Sequence, residues 1–77
     1  MVTVYGAQWC EPCKAAQQYL KNKGVAYEYI DIDHDMTAQY ELEGMGVRGL
    51  PVLVFEDGDV LPGFSPREID ARLEGLG

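Results

Sequence analysis

The stretch Trp9-Cys10-Glu11-Pro12-Cys13-Lys14 decides how the chain reads, because it holds both cysteines of the sequence. They stand three positions apart, between a β-branched, apolar run and a run with helical spacing. A cysteine pair at the junction of a strand and a helix points to a dithiol that opens and closes. Helical positions i and i+3 are neighbours, with Cα atoms ~5 Å apart, inside the ~4.4–6.8 Å that a disulfide spans. Thiol and disulfide forms are then both reachable with little backbone movement.

The placement predicts reactivity as well as geometry. The free N–H groups and positive dipole end of a helix start favour a thiolate, and thiols in such motifs ionise as low as ~3.5–7.5. Cys10 comes first and is expected at the mouth of the helix, as the exposed, attacking sulfur. Cys13 lies in the first turn and is expected to be more buried, as the resolving sulfur. Pro12 suits a first helical turn, where its missing N–H costs little, and with Trp9 it stiffens the motif. Lys14 adds a positive charge near the thiolate and Glu11 opposes it. Blander readings stand beside this one. Two cysteines are half of a zinc site, but zinc takes four ligands, and the one histidine, His34, is far along the chain. Two inert, buried thiols are the other. The strand-to-helix setting favours redox chemistry.

At 77 residues the chain reads as one domain, 1–77, with a modest core that buries ~60–65% of the unfolded surface. Six basic against thirteen acidic residues give a net charge of −7. That balance argues against nucleic acid or an anionic membrane as partner, since both attract positive charge. It suits solubility and the selection of a partner with a basic docking surface. No apolar run approaches membrane length. Met1-Val2-Thr3-Val4 runs straight into a strand, so no signal peptide is expected. A cytoplasmic protein is expected, where a lone cysteine pair is more often catalytic than structural.

Val2–Gly6 reads as a short central strand, and Ala7-Gln8-Trp9 as the loop into the dithiol. Apolar residues recur at i and i+4 from Pro12 to Lys23, predicting a helix that Gly24 closes. Ala26–Asp33 predicts a second strand, at the sheet edge because of Glu28, with Tyr27 and Tyr29 on one face and Ile30 and Ile32 on the other. Asp33 or Asp35 is a cap for a helix over Met36–Glu43, ended by Gly44 and Gly46. His34 in the preceding loop reads as a surface or capping residue. Arg48 reads as solvated or as a contact to a partner carboxylate. Val52–Phe55 is a continuous apolar run, the second central strand. Pro51 is sterically tolerated at its start. Asp57-Gly58 marks a hairpin turn, Val60-Leu61 the returning strand, and Pro62 an edge. Ser65-Pro66-Arg67-Glu68 reads as a capping box before a helix lined by Ile69, Leu73 and Leu76. The order β-α-β-α-β-β-α predicts an α/β fold, a four-stranded mixed sheet with helices on both faces.

This order, the Trp9–Cys13 motif, Leu50-Pro51 and Gly63-Phe64 together resemble the thioredoxin superfamily over the whole chain. The length resembles its glutaredoxin-type branch. Val2-Thr3-Val4-Tyr5 and Leu61-Pro62-Gly63-Phe64-Ser65-Pro66 resemble the NrdH-type redoxins, glutaredoxin-shaped proteins that behave like thioredoxins. The resemblance implies a thiol–disulfide oxidoreductase with Cys10 and Cys13 as its redox-active disulfide and no bound cofactor or metal. It implies electrons from NADPH through a flavoprotein, thioredoxin reductase. Delivery is to ribonucleotide reductase or another disulfide-bearing protein, from a monomer. It makes a cis Leu50-Pro51 bond the better expectation, with the Leu50 backbone pairing with an extended substrate segment. Leu50, Pro51, Gly63 and Phe64 are then the substrate-binding residues, and Phe64, Trp9 and Leu50 an apolar rim around Cys10. For Phe64 core packing at a strand end is an equal reading. Trp9 is expected to be partly exposed.

The same comparison weighs against glutathione. Glutaredoxins usually carry a Gly-Gly-x-Asp pattern in this stretch; here Phe64 replaces the second glycine, Arg67 stands where an acid would help, and Ala7 stands where a lysine is common. A glutathione-dependent glutaredoxin stays the alternative enzyme, and an iron–sulfur cluster bridged by Cys10 between two chains the alternative outside enzymology. Val4 occupies the position where thioredoxins hold a buried aspartate, so proton transfer to Cys13 has no carboxylate there.

Overall fold

The computed structural model describes residues 1–47 and 49–76. Its elements are β1 (Val2–Gly6), α1 (Glu11–Asn22), β2 (Tyr27–Asp31), α2 (Met36–Met45), β3 (Val52–Val54), β4 (Val60–Pro62) and α3 (Pro66–Leu76). This is the expected β-α-β-α-β-β-α order. The strands form one mixed sheet in the order β2-β1-β3-β4. β1 pairs in parallel with β2, with Val4 opposite Tyr29, and antiparallel with β3, with Val4 opposite Leu53. β3 and β4 form the antiparallel closing hairpin.

Strand alternation divides the core into two layers. Val2 and Val4 of β1 join Leu53, Leu61, Tyr27 and Tyr29 on the face covered by α1 and α3, where Ala16, Leu20 and Ile69 are buried. Tyr5, Val52, Ile30 and Ile32 belong to the other face, covered by Ala38 and Leu42 of α2. Leu20, Leu53 and Ile69 are fully buried, and each such side chain contributes roughly 1.5–3 kcal/mol. Helices thus lie on both faces, and the even–odd split of the second strand falls as its sequence predicts.

Boundaries differ from expectation by local hydrogen bonding. β2 ends at Asp31 instead of Asp33, because the Asp31 side chain accepts from the Asp33 N–H at 2.9 Å and turns the chain. α2 runs two residues beyond Glu43, through Gly44, and is closed by Gly46 with φ 72°. Of its two candidate caps, Asp35 is the one used, accepting from the Ala38 N–H at 3.1 Å. β3 stops at Val54 because Phe55 already belongs to the turn, bonding Asp59 and Gly58 at 2.9 Å each. β4 includes Pro62, opposite Val52 on an edge strand. Ser65 caps α3 by accepting from the Glu68 N–H at 3.4 Å, while the Glu68 carboxylate faces Arg72 at 2.7 Å. The capping box is therefore half used. His34 is exposed and lies 3.2 Å from Asp31. The readings for Arg48 and for the Leu76 side chain lie outside the described residues. Among the described residues no helix is long and apolar enough to cross a membrane.

Candidate active site

Cys10 is the N-cap of α1, with extended backbone, and its Sγ accepts from the Cys13 N–H at 3.3 Å. A helix start has N–H groups with no partner further up the chain, so one of them is free to face the sulfur. Positive charge density at this end favours the thiolate in the reduced protein. The Cys10 N–H is itself held by the Ala7 carbonyl at 3.1 Å, and its carbonyl takes the Lys14 N–H at 3.3 Å. Cys10 and Cys13 are joined as a disulfide with Cα atoms 5.3 Å apart, the separation expected for i and i+3.

Burial follows the expected ranking but not the expected degree. Cys13 is 0% exposed and Cys10 only 5%. The expectation of an exposed attacking sulfur is corrected here for the disulfide form. Ala7, Cys10 and Cys13 form a small apolar cluster against which Leu50 packs. The capping turn holds Cys10 at the helix start, and Leu50 packs against its cluster. The Leu50–Pro51 peptide is cis, and the Pro51 carbonyl accepts from the Gly63 N–H at 2.7 Å. That bond ties the loop to the stretch before α3.

Gly6, the last residue of β1, lies beneath Cys13. A Cβ at Gly6 would stand 2.9 Å from the Tyr29 ring, 3.0 Å from Cys13 Cβ and 3.1 Å from Cys13 Sγ. No side chain fits between strand and helix there, so glycine lets the first turn of α1 sit on the sheet. A strand-terminal glycine shortly before a cysteine pair is the sequence signal for this role. Val4 is fully buried, and no polar or charged residue is buried among the described residues. Cys13 accordingly has no buried carboxylate to take its proton. Burial, then Asp31 and Asp33, push the Tyr29 phenol up, so it stays protonated.

The motif's charges pair with each other: Lys14 Nζ lies 3.2 Å from Glu11 Oε1, both well exposed. Trp9 is 70% exposed, and its indole N–H donates to Asp33 Oδ2 at 2.9 Å. Trp9 and Leu50 share a groove of about 350 Å³ whose other walls include Ile32, Leu42, Glu43 and Val47. The contributions of Ile32 after β2 and of α2, and the Asp33 anchor, have no signal in the local sequence; they come from residues far apart in it. Phe64 is not part of this groove. Its ring packs on the α1–α3 side, edge-to-face with Tyr19 at 6.0 Å between centroids. Trp9 and Leu50 thus share one groove, while Phe64 lies half-buried against the core, in keeping with its core reading. Among the described residues no group of three or more His, Cys, Asp or Glu side chains gathers to hold a metal.

Known proteins share this arrangement. A glutaredoxin family profile matches residues 2–61. A glutaredoxin-like 8.6 kDa protein of the rubredoxin operon of Clostridium pasteurianum is 31% identical over 75 residues, covering 96% of this chain and 99% of that one. The glutaredoxin-like protein NrdH of Lactococcus lactis is 33% identical over 69 residues, covering 90% and 94%. The structure of NrdH-redoxin from Escherichia coli superposes with a TM-score of 0.84 at 31% identity, covering 91% of each chain. With its Cys10–Cys13 pair on this fold, the chain belongs to the glutaredoxin family, as an NrdH-type thiol–disulfide oxidoreductase.

Proposed function

We propose that the protein reduces disulfides of other proteins, with Cys10 as nucleophile and Cys13 as resolving thiol, and is recharged by thioredoxin reductase. The Cys10 thiolate attacks one sulfur of a substrate disulfide, forms a mixed disulfide and releases the other sulfur as a thiolate. Cys13, after losing its proton to water or to the departing thiolate, attacks Cys10 Sγ. The internal disulfide forms and the second substrate sulfur leaves; both products take up protons. Two electrons pass from the dithiol to the substrate. A reductase dithiol, fed by NADPH through a flavin, reverses the sequence.

The observation that carries this reading is the bond from the Cys13 N–H to Cys10 Sγ at the start of α1. It supports Cys10 as the attacking sulfur, with Cys13 fully buried as the resolving one. Preference for thioredoxin reductase over glutathione rests on Ala7, which is buried and apolar where glutaredoxins usually place a lysine, and on Phe64, which packs against Tyr19. The thioredoxin-like activity profile described for the Escherichia coli NrdH-redoxin agrees. Ribonucleotide reductase is the proposed acceptor, by likeness to the NrdH proteins. A cytoplasmic setting, where thiols are kept reduced, suits such a carrier. Leu50, Pro51, Gly63 and the half-buried Phe64 are proposed to bear on the substrate segment.

Two measurements test this. Cys13→Ser is expected to accumulate the mixed disulfide with a protein substrate; full turnover by that variant overturns the roles. NADPH consumption is expected with thioredoxin reductase and to be weak with glutathione plus glutathione reductase. Turnover with glutathione alone makes the protein a glutathione-dependent glutaredoxin.

A further inference from the structure

α2 has an unusual outer surface for a helix that already buries Ala38 and Leu42 in the core. Met36 and Tyr40, one turn apart, are 71% and 69% exposed, and with Trp9 they are three of the five exposed large apolar residues described. Gln39 and Glu43 lie between the two sites these residues make. They line the groove shared by Trp9 and Leu50, and also a smaller depression of about 130 Å³ with Met36 and Tyr40. Gln39 and Glu43 thus form a polar bridge that carries the track from the apolar groove beside the Cys10 loop to the exposed Met36 and Tyr40 on the outer face of α2. Exposed apolar residues beside a groove mark contact surfaces, and aromatic residues and methionine are enriched in them.

The track is set in an acidic stretch. From Gly24 to Val47 the sequence holds Glu28, Asp31, Asp33, Asp35, Glu41 and Glu43 and not one Lys or Arg; the next base is Arg48. Glu43 lines the groove itself, and Asp33 holds Trp9 at its edge. A second copy of this chain, also at −7, is repelled by such a surface, as is an anionic membrane. The charge fits a positive polypeptide.

We infer that the groove and the outer face of α2 form a docking track for a disulfide-bearing protein segment that carries a bulky apolar side chain flanked by Lys or Arg. This rests on the proposed reduction of protein disulfides and names the class of segment selected. The apolar side chain enters the groove between Leu50 and α2, where it is held beside Cys10. The flanking bases meet Glu43 and the neighbouring acids, and Met36 and Tyr40 extend the contact along the helix.

The test uses the pre-reduced full chain in single-turnover reactions with two cystine peptides. They share one disulfide loop and one leucine, and differ in carrying Lys-Lys or Glu-Glu beside it. Each rate is divided by the same protein's rate with a small neutral disulfide. The lysine peptide is expected to react about tenfold faster than the glutamate peptide at low salt, with the gap closing at high ionic strength. Glu43→Lys is expected to shrink that preference several-fold, and the doubly substituted Met36→Ser, Tyr40→Ser protein to slow both peptides relative to the small disulfide. Equal normalised rates for the two peptides, or a double variant indistinguishable from the parent, overturn the inference while leaving the dithiol reaction intact. Failure of the small disulfide to react overturns the proposed function and this inference with it. Concentration-dependent dimerisation that the double variant abolishes assigns the face to self-association instead, and also overturns it.

Discussion

The Trp9 indole N–H and Asp33 Oδ2 meet at 2.9 Å, so the residue before the nucleophile is tied to the turn between β2 and α2. The bond spans 24 positions of sequence and lies at the surface. Asp33→Ala is expected to free the indole while changing stability by no more than ~0.5 kcal/mol, as for exposed polar substitutions. Trp9 is the only tryptophan, so acrylamide quenching of its fluorescence reads the change directly. Quenching should rise in the variant, and equal quenching in both proteins removes the anchor from the account.

Gly6→Ala tests the close seating of α1 on the sheet. The new methyl would lie 3.0 Å from Cys13 Cβ, and overpacking of this kind costs ~1–3 kcal/mol. Urea denaturation of the oxidised protein should show that loss. The resolving step should slow too, seen as a longer-lived mixed disulfide, because relief requires Cys13 to move. An unchanged urea midpoint would falsify the tight fit.

Tyr5 predicts behaviour at high pH. Burial, then the hydrogen bond to Glu41 at 2.8 Å, push its phenol up to about 12 from 10.0. A group raised on folding contributes stability that is complete below its unfolded value and is lost as pH rises through the folded one. Stability should therefore fall between pH ~10 and ~12. Tyr5→Phe should show a smaller fall across that window, and its tyrosinate absorbance should lack the latest-titrating step. The same slope in both proteins assigns the alkaline loss elsewhere.

Asp70 works in the opposite direction. It accepts from the Tyr19 hydroxyl at 2.7 Å and lies 2.7 Å from Lys23 Nζ, joining α3 to α1. The Lys23 hydrogen bond first, then that of Tyr19, hold its carboxyl below the usual carboxylate range. A depressed carboxyl contributes stability above its unfolded value and loses it as pH falls through the folded value. Acidification below pH ~4 should thus lower the urea midpoint more in the parent than in Asp70→Asn. Parallel acid limbs sink this clamp.

Sequence periodicity carried the element order, the face split of β2 and the capping of α1 and α3, because each depends on neighbours within a few positions. Cys10 at a helix start was legible for the same reason. Tyr5–Glu41, Trp9–Asp33 and Tyr19–Asp70 were not, since their partners are 36, 24 and 51 positions apart. The same gap explains the groove, whose walls come from the dithiol loop, the turn after β2, α2 and the Leu50 loop. Phe64 was divided between rim and core, and its packing on Tyr19 depends on α1 and α3 meeting, which no local pattern reports. The cover over Cys10 escaped for a further reason. Position in the first turn sets direction, but exposure is decided by the distant Leu50.

With Cys10 only 5% and Cys13 0% exposed in the oxidised state, little sulfur surface meets solvent. An incoming thiolate must line up behind the sulfur it attacks. Burial of this degree slows collisional attack on the disulfide, because thiol–disulfide exchange depends on access to the sulfur.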